Sequence, residues 1–279
     1  MVLLRHAKHV VYTFLPLLLL IFLCKGVTSS SDIGKQAISA IPASISTTSP
    51  AAFTIMTFNI HHGEGLDGRV NIKRIADLIQ NEKADVIALQ EVDQYRWRSG
   101  YVDQAKELAE LLGMDMRFAP SLTYTAGQYG NAILSRYPIE DSSYTLLPGN
   151  KETRSLLEVK IKVNSETVRI ATTHLGLSKE ERSLQLARIS EMVTNYDDPL
   201  VVAGDFNMEL DAFPFKIDTD QLTNVPLRAG VKSTFVDGKR IDHIFTNRKN
   251  VQSSWAIPTI FSDHFPVITR IRLGSPVQV

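Results

Sequence analysis

The chain has 279 residues, of which 44% are hydrophobic and 22% are charged, a balance that excludes an intrinsically disordered protein. Only one apolar run is long enough to be considered as a membrane segment, which excludes a polytopic membrane protein. Residues 1–30 carry three basic residues and no acid, so residues 31–279 hold 27 bases against 30 acids, a net charge of −3. This acidity disfavours nucleic-acid binding through a broad basic face and leaves room only for a local basic cleft.

The N-terminus has the pattern of an export signal. Residues 1–9 are mildly basic, and residues 10–24 are uncharged and almost wholly apolar. An apolar helix of this length spans about 22 Å, less than a bilayer core of about 30 Å, so we expect a signal peptide over residues 1–28 in preference to a membrane tether through residues 10–24. Leu23 is too large to precede a lipoprotein cysteine at Cys24. Cleavage beyond Cys24 leaves no cysteine, so no disulfide partner is expected.

Residues 29–52 are expected to form a flexible linker. Residues 28–49 contain ten Ser or Thr residues without periodicity or charge pattern, which is typical of a tether between an export signal and a folded domain. One domain is expected over residues 53–273, long enough to bury a substantial core, and residues 274–279 form a tail.

Short β-rich runs and amphipathic segments follow one another along the expected domain, which predicts an α/β fold. Strands are predicted at residues 53–58, 85–89, 131–135, 155–163, 167–173, 200–203, 241–245 and 267–273, and helices at residues 71–82, 105–112 and 184–192. Gly113 is expected to end the second helix. In the third helix, Leu184, Leu186 and Ile189 are expected on the apolar face, after a charged first turn at Glu180–Arg182.

Polar residues at the ends of the predicted strands are the main indication of function. They are Asn59, Glu91, His174, Asp205, Asn207, Asp242, His243, Asp263 and His264. Any one of them alone is readily a strand-end cap or a turn residue. Together they are expected to converge at one edge of a sheet, where α/β folds usually place their sites.

The residue types in this set fit one chemistry. Carboxylates with an Asn carbonyl are hard oxygen ligands suited to Mg²⁺, Mn²⁺ or Ca²⁺. The sequence has no HExxH, GxSxG or P-loop motif, which argues against a zinc peptidase, a serine hydrolase of that type and a P-loop nucleotidase. A divalent cation with a His–Asp base predicts phosphoester hydrolysis, because the cation neutralises charge on the phosphate while the base prepares an in-line water.

Seven segments resemble, in order and context, the motifs of the endonuclease/exonuclease/phosphatase superfamily, which includes DNase I-like nucleases, abasic-site endonucleases, bacterial neutral sphingomyelinases and inositol polyphosphate 5-phosphatases. They are TFNIHHG (57–63), IALQEVD (87–93), YGNAILSRYPI (129–139), TTHL (172–175), GDFNM (204–208), RIDHIFTN (240–247) and FSDHFPV (261–267). The resemblance covers essentially all of residues 53–273. It implies a four-layer α/β sandwich in which two mixed β-sheets lie face to face with helices outside.

The resemblance also implies metal-site and base residues at matching positions. Glu91 is the expected principal metal ligand, with Asn59 beside it as a ligand or a phosphate contact, and Asp263 is a second metal-site carboxylate. His264 is the expected general base, and Asp242 orients its imidazole.

Further matching positions concern the water and the phosphate. Asp205 and Asn207 are expected to position the attacking water and contact the scissile phosphate. His174 is expected to donate to a non-bridging oxygen or to the leaving group. Asn131 and Arg154 are the expected phosphate-side amide and cation.

Several neighbouring residues are open to two interpretations. His61 is expected to face the site, whereas His62 is expected to be solvated or packed, and His243 is expected to be structural because strand alternation places it opposite its preceding acid. Trp97 is either a substrate-side aromatic or a loop plug. Arg98 lies in a loop that either is merely solvated or binds substrate.

The resemblance leaves the substrate open, because this superfamily keeps its phosphoester chemistry and varies its loops. Acidity, export and a compact domain favour a phosphodiester in a lipid head group or small molecule. The segment RSGYVDQ (98–104) resembles an uncharacterised bacterial metal-dependent hydrolase group related to a domain of GPI-anchor remodelling proteins. A secreted DNase I-like nuclease is the alternative. A catalytically dead binding module is disfavoured because every expected site position holds a competent residue.

Overall fold

The computed structural model describes residues 52–193, 196, 198–212 and 222–274. The predicted export signal, nearly all of the predicted linker and residues 275–279 of the tail lie outside the described residues. No helix in the part of the chain that the structure describes has both the length and the apolar character needed to cross a membrane.

The elements follow one another in an order that intersperses three α-helices among strands. In chain order they are β1 (Ala52–Asn59), α1 (Ile72–Asn81), β2 (Val86–Gln94), α2 (Gln104–Leu112), β3 (Asp115–Thr123), β4 (Gln128–Ser135), β5 (Ile139–Leu147), β6 (Arg154–Val163), β7 (Glu166–His174), α3 (Lys179–Val193), β8 (Leu200–Asp205), β9 (Thr223–Asn224), β10 (Ala229–Gly230), β11 (Asp242–Thr246), β12 (Val251–Ala256) and β13 (Val267–Arg272). Single 3-10 turns lie at His61–Gly63, Trp97–Ser99 and Leu210–Ala212.

The strands form two mixed sheets. The first has the order β10-β12-β13-β1-β2-β4-β3, and the second has the order β5-β6-β7-β8-β11-β9. Parallel pairs lie at the centre of each sheet, β1 beside β2 in the first and β7 beside β8 in the second, and the flanking pairs are mainly antiparallel.

Alternation along the strands sends side chains into three separate apolar clusters. Phe53 and Ile55 on β1 join residues of the second sheet, such as Ile170, in the cluster between the sheets. Met56 and Phe58 on the same strand point the other way, into a cluster with α1 and α2. The outer face of the second sheet forms a third cluster with α3. These layers confirm the predicted sandwich of two mixed sheets with helices outside.

The three helices lie where the apolar periodicity places them, with some differences at α3. Asn71 caps α1 and Asp103 caps α2, each accepting a hydrogen bond from a backbone N–H of the first turn, and Gly113 ends α2 in the left-handed conformation. On α3, Leu186 is buried, but Leu184 is 57% exposed. The expectation that Leu184 faces the core was wrong, because Leu184 lies two residues before Leu186 and therefore about 200° away from it around the helix axis.

Candidate active site

The carboxyl ends of the central strands meet at one edge of the sandwich. Asn59 ends β1, and His174 and Asp205 end the parallel strands β7 and β8, where they pair in register. Asp242 begins the antiparallel strand β11 and lies opposite Asp205. Strand direction and register therefore bring together residues that are far apart in the sequence.

The amide of Asn59 joins both sheets at this edge. Its Nδ2 donates to Oε1 of Glu91 at 3.0 Å and to Oδ2 of Asp205 at 3.0 Å, and it lies 3.4 Å from Nε2 of His264. Its Oδ1 accepts from the backbone N–H of His61. In this orientation Asn59 is a donor shared by two carboxylates, whereas the sequence predicted a metal ligand or a phosphate contact.

His264 is held in a fixed orientation by a buried acid. Its Nδ1 lies 2.9 Å from Oδ2 of Asp242. The backbone N–H of His264 donates to Oγ of Ser262, whose hydroxyl donates to the carbonyl oxygen of Asn59. The backbone N–H of Asp242 donates to Oγ1 of Thr234. Because a carboxylate accepts hydrogen bonds, Nδ1 carries a proton and Nε2 faces the cavity.

The charges around His264 and Asp205 favour a proton held between these two side chains. Burial lowers the pKa of His264, but the carboxylates of Asp242, Asp205 and Asp263 raise it by more, so the net shift is upward. Burial and the charge of Asp242 raise the pKa of Asp205. The sequence assigned the base to His264 alone, whereas the structure places Oδ2 of Asp205 at 3.6 Å from its Nε2.

His174 contacts the same carboxylate from the other side. Its Nε2 lies 3.4 Å from Oδ2 of Asp205, and its Nδ1 is buried without a hydrogen-bond partner among the described residues. Burial, with the positive charge of Arg154 and His264, lowers the pKa of His174 well below its usual value. The ring is therefore favoured in its neutral form, with Nε2 as the nitrogen beside Asp205, and the predicted contact of His174 with a phosphate oxygen or the leaving group stays a prediction.

Glu91 enters the site from a β-bulge. The β2–β4 pairing shifts register between Leu89 and Val92, and Glu91 has a φ of 58° inside this bulge. A bulge redirects a side chain that regular pairing would fix on one face, and such strained positions are frequent at functional sites. Glu91 and Asp263 both line the cavity described below.

A close approach of β7 to β8 explains the glycine before Asp205. A Cβ at Gly204 would lie 2.0 Å from the carbonyl oxygen of Thr173. The backbone N–H of Asn207 donates to Oδ1 of Asp205, and Nδ2 of Asn207 donates to the carbonyl of Leu175. The Gly-Asp-Phe-Asn segment thus holds Oδ1 of the Asp205 carboxylate, and Asn59 donates to its Oδ2.

These groups line a cavity of about 600 Å³, to which Glu91, His174, Asp205, Asn207, Asp263 and His264 all contribute. Arg154 also lines it and is only 3% exposed. Its Nη2 lies 3.3 Å from Glu152, but Nε and Nη1 have no partner within the described ranges. A buried guanidinium with free donors fits an anionic ligand.

Two predicted substrate contacts are placed differently. Asn131 is buried outside the cavity lining, and its Nδ2 donates to the carbonyl oxygen and to Oγ of Ser155, so it joins β4 to β6 and does not reach a substrate phosphate. Arg98 does line the cavity, but its Nε and Nη2 bind the fully buried carboxylate of Asp93 at 2.7 and 2.8 Å. A structural ion pair therefore uses much of the Arg98 guanidinium.

The residues that were open to two interpretations are now placed. His243 is buried, bonds the Met208 carbonyl through Nε2 and packs near Phe206, as a structural histidine does. His62 is buried. Trp97 is 70% exposed, so it does not plug its loop, and it does not line the cavity.

Sequence reasoning missed three supporting residues. Ser262 and Thr234 position the His264–Asp242 pair. Only Ser262 could have been found from the sequence, since it lies within the FSDHFPV segment. Lys151 lines the cavity because the buried Glu181 accepts from the backbone N–H groups of Asn150 and Lys151. Glu181 had been expected only in a charged helical turn.

The donor set fits a divalent cation at the Glu91 side of the cavity. Within the residues that the structure describes, two groups of three side chains bring potential ligand atoms together: His61, His62 and Glu91, and Asp205, Asp242 and His264. The second group is internally paired through the Asp242–His264 hydrogen bond, whereas Glu91 has an open cavity in front of it.

Comparison with known proteins agrees with this geometry. The sequence profile of the Endonuclease/Exonuclease/phosphatase family matches residues 56–264. The chain belongs to this family. Members hydrolyse phosphoesters, so the protein falls in the class of nucleases, phosphatases and phosphodiesterases.

Individual relatives extend over most of the domain. The uncharacterized protein YbhP of Escherichia coli K12 is 28% identical in an alignment of 259 positions that covers 81% of this chain and 98% of YbhP. Protein cwh43 of Schizosaccharomyces pombe is 29% identical over 155 residues, 54% of this chain and 16% of cwh43. The endonuclease/exonuclease/phosphatase structure from Beutenbergia cavernae superposes with a TM-score of 0.67 at 26% identity, covering 80% of this chain and 72% of that one.

Proposed function

We propose that the protein is a metal-dependent phosphodiesterase that cleaves a small phosphodiester or a lipid head group. The observation that carries this proposal is the amide of Asn59, which contacts Glu91, Asp205 and His264 at one point of the cavity wall. A cation ligand and a proton acceptor thus lie within reach of the same phosphate, and Arg154 offers free donors to its oxygens.

The proposed roles follow from these positions. A divalent cation held at Glu91 and Asp263, with Mg²⁺, Mn²⁺ or Ca²⁺ as the ions expected for oxygen ligands, would neutralise charge on the phosphate. The charge of a cation bound at Glu91 would lower the pKa of His264 and Asp205, so that Nε2 of His264 and Oδ2 of Asp205 could take up the water proton, and Asp242 would stabilise the imidazolium that results. His174 and Arg154 contact the non-bridging oxygens.

The cavity supports a small substrate in preference to a long nucleic acid. A volume of about 600 Å³ is in the range that holds a small molecule. Its wall mixes cations such as Lys151 and Arg154 with acids such as Glu152, and apolar side chains such as Leu177 and Phe235 contribute to it. A continuous phosphate backbone would instead require a positively charged track, which the net charge of −3 over residues 31–279 disfavours.

We also propose export. The basic flank and the short apolar run at residues 10–24 favour secretion with cleavage, and retention of the run would tether the domain at a membrane surface. N-terminal sequencing of the protein recovered from the extracytoplasmic fraction tests this point. A mature N-terminus upstream of residue 10 contradicts cleavage.

The experiment for the activity is hydrolysis of bis-p-nitrophenyl phosphate by the full chain with Mg²⁺ or Mn²⁺, with and without EDTA. Metal-dependent turnover is expected, with less turnover of p-nitrophenyl phosphate. Plasmid DNA, RNA, sphingomyelin and phosphatidylinositol, assayed side by side, separate the substrate classes. Preferred cleavage of DNA supports the secreted nuclease, and absence of turnover on every substrate supports the binding module.

A further inference from the structure

Two histidines lie beside Glu91 in a way that the oxygen-ligand interpretation does not use. His61 and His62 form the 3-10 turn after β1, with φ values of 45° and 43°, opposite the strained Glu91. One ring nitrogen of each and one carboxylate oxygen of Glu91 lie within 4.8 Å of one another. Two ligands of a tetrahedral zinc ion, each about 2.1 Å from it, are about 3.4 Å apart, so these side chains would have to move together by up to about 1.4 Å to share one ion.

Contacts with one residue, Glu64, set the protonation of both rings. Nδ1 of His61 lies 3.3 Å from the backbone oxygen of Glu64. A carbonyl oxygen only accepts, so this Nδ1 carries the proton and Nε2 keeps a lone pair. Nε2 of His62 lies 3.2 Å from the Glu64 carboxylate, which leaves Nδ1 of His62 with the lone pair. That Nδ1 is buried without a partner among the residues described.

This arrangement is the support that metal-binding histidines normally have, in which a carboxylate or carbonyl holds the nitrogen that does not bind the ion. The surrounding charges also favour a cation. Glu64 and Glu91 contact or face the rings, and Oδ1 of Asp263 lies 4.0 Å from Nδ1 of His61. Arg98, whose charge acts on His62, is paired with Asp93.

Burial, followed by the charges of Arg98 and His61, lowers the pKa of His62. A ring that is neutral at pH 7 does not have to lose a proton before it binds an ion. The lowered pKa therefore agrees with the hydrogen-bond pattern around His62.

We propose that His61, His62 and Glu91 form a mixed nitrogen–oxygen site that takes a transition-metal dication such as Zn²⁺ or Co²⁺ in preference to Mg²⁺. Imidazole ligands suit transition metals, whereas carboxylate and water ligands suit Mg²⁺ and Ca²⁺. This inference deepens the proposed function, because Glu91 is also the ligand proposed for the catalytic cation.

The test is metal binding without substrate. The metal-depleted full chain is titrated with Co²⁺ and followed by its visible absorption, and Zn²⁺ and Mg²⁺ are then added as competitors. A His6→Gln/His9→Gln background removes the N-terminal imidazoles. We expect Zn²⁺ to displace Co²⁺ and Mg²⁺ to displace it at least tenfold less well. We expect His61→Ala and His62→Leu each to weaken Co²⁺ binding by about tenfold or more, and Glu64→Gln to weaken it less.

The partly exposed His61 keeps this test decisive if the buried His62 variant misfolds, which circular dichroism would reveal. Equal displacement of Co²⁺ by Mg²⁺ and Zn²⁺ overturns the proposal. The proposal is also overturned if the folded His61→Ala protein binds Co²⁺ with unchanged affinity while the Glu91→Gln protein no longer binds Co²⁺. Either result still allows Mg²⁺-dependent hydrolysis, so the proposed function fails only on its own assay.

Discussion

Nε2 of His264 and Oδ2 of Asp205 lie 3.6 Å apart in the buried wall of the cavity. In the proposed mechanism the two groups share one water proton, so their substitutions should not act independently. We expect His264→Gln and Asp205→Asn each to lower kcat on bis-p-nitrophenyl phosphate by about 100-fold. The double variant should lose little more than either single variant. Losses that multiply in the double variant would show that the two groups act in separate steps.

The Arg154 guanidinium, whose Nε and Nη1 have no partner among the described residues, should bind phosphate at the expense of stability. Arg154→Met removes charged hydrogen bonds to the substrate, so KM and the inhibition constant of inorganic phosphate should rise by about 10- to 100-fold. Thermal stability should stay equal or increase, because a buried charge with free donors is costly. The matched control is Arg188→Met, since Arg188 is an exposed arginine on α3. Unchanged phosphate inhibition in Arg154→Met contradicts the assignment.

Substitution of Arg98 can show whether this residue stabilises the fold or contacts the substrate. Its loss leaves the fully buried Asp93 unpaired, so Arg98→Met should lower the free energy of unfolding by about 3 kcal/mol. Adding Asp93→Asn should recover part of that loss in urea denaturation. If Arg98→Met leaves stability unchanged and only raises KM, then Arg98 acts mainly on substrate.

Glu91 is expected to act through a cation. Glu91→Gln should lose activity that a raised metal concentration partly restores, because the ion loses one charged ligand and keeps its other contacts. EDTA should abolish wild-type turnover, and added Mg²⁺ or Mn²⁺ should restore it. Glu110→Gln, at an exposed position on α2, serves as the control. Full EDTA-resistant turnover would remove the metal from the mechanism.

The buried His243 should make the fold sensitive to acid. Burial lowers its pKa to about 3, whereas the unfolded chain has the ordinary value of about 6.5. Between these values the unfolded state binds the additional proton, so stability is retained above pH ~6.5 and is lost as the pH falls toward 3. His243→Gln should show a smaller loss of stability between pH 7 and pH 5 in urea denaturation. Parallel losses in both proteins would assign the acid sensitivity to other groups.

The sequence was sufficient for features that depend on local pattern. Strands with apolar runs and helices with apolar periodicity were predicted, and the motifs identified the family. The edge strand β5 (Ile139–Leu147) was not predicted, because it exposes Glu140 through Ser143 and is held mainly by pairing with β6. The edge strand β3 contains Pro120, which also obscures the pattern.

The residue types predicted a phosphoester hydrolase site, but they did not predict which side chains hydrogen-bond to one another. Asn131 carries a polar side chain in a matching segment, yet it turns toward Ser155. Whether Asn59 presents oxygen or nitrogen to the two acids depends on the backbone N–H of His61. Such contacts are set by how the two sheets pack, and the register of one strand does not reveal them.

The bond from Asn59 to Asp205 has a consequence for how the protein loses activity. Asn59 lies on one sheet and Asp205 on the other, so the reaction centre exists only while the two sheets stay docked. A partly denatured chain that keeps its secondary structure but separates the sheets would be inert. Turnover should therefore disappear at the same denaturant concentration as the near-ultraviolet circular dichroism of the packed interior, however much helix and strand survive.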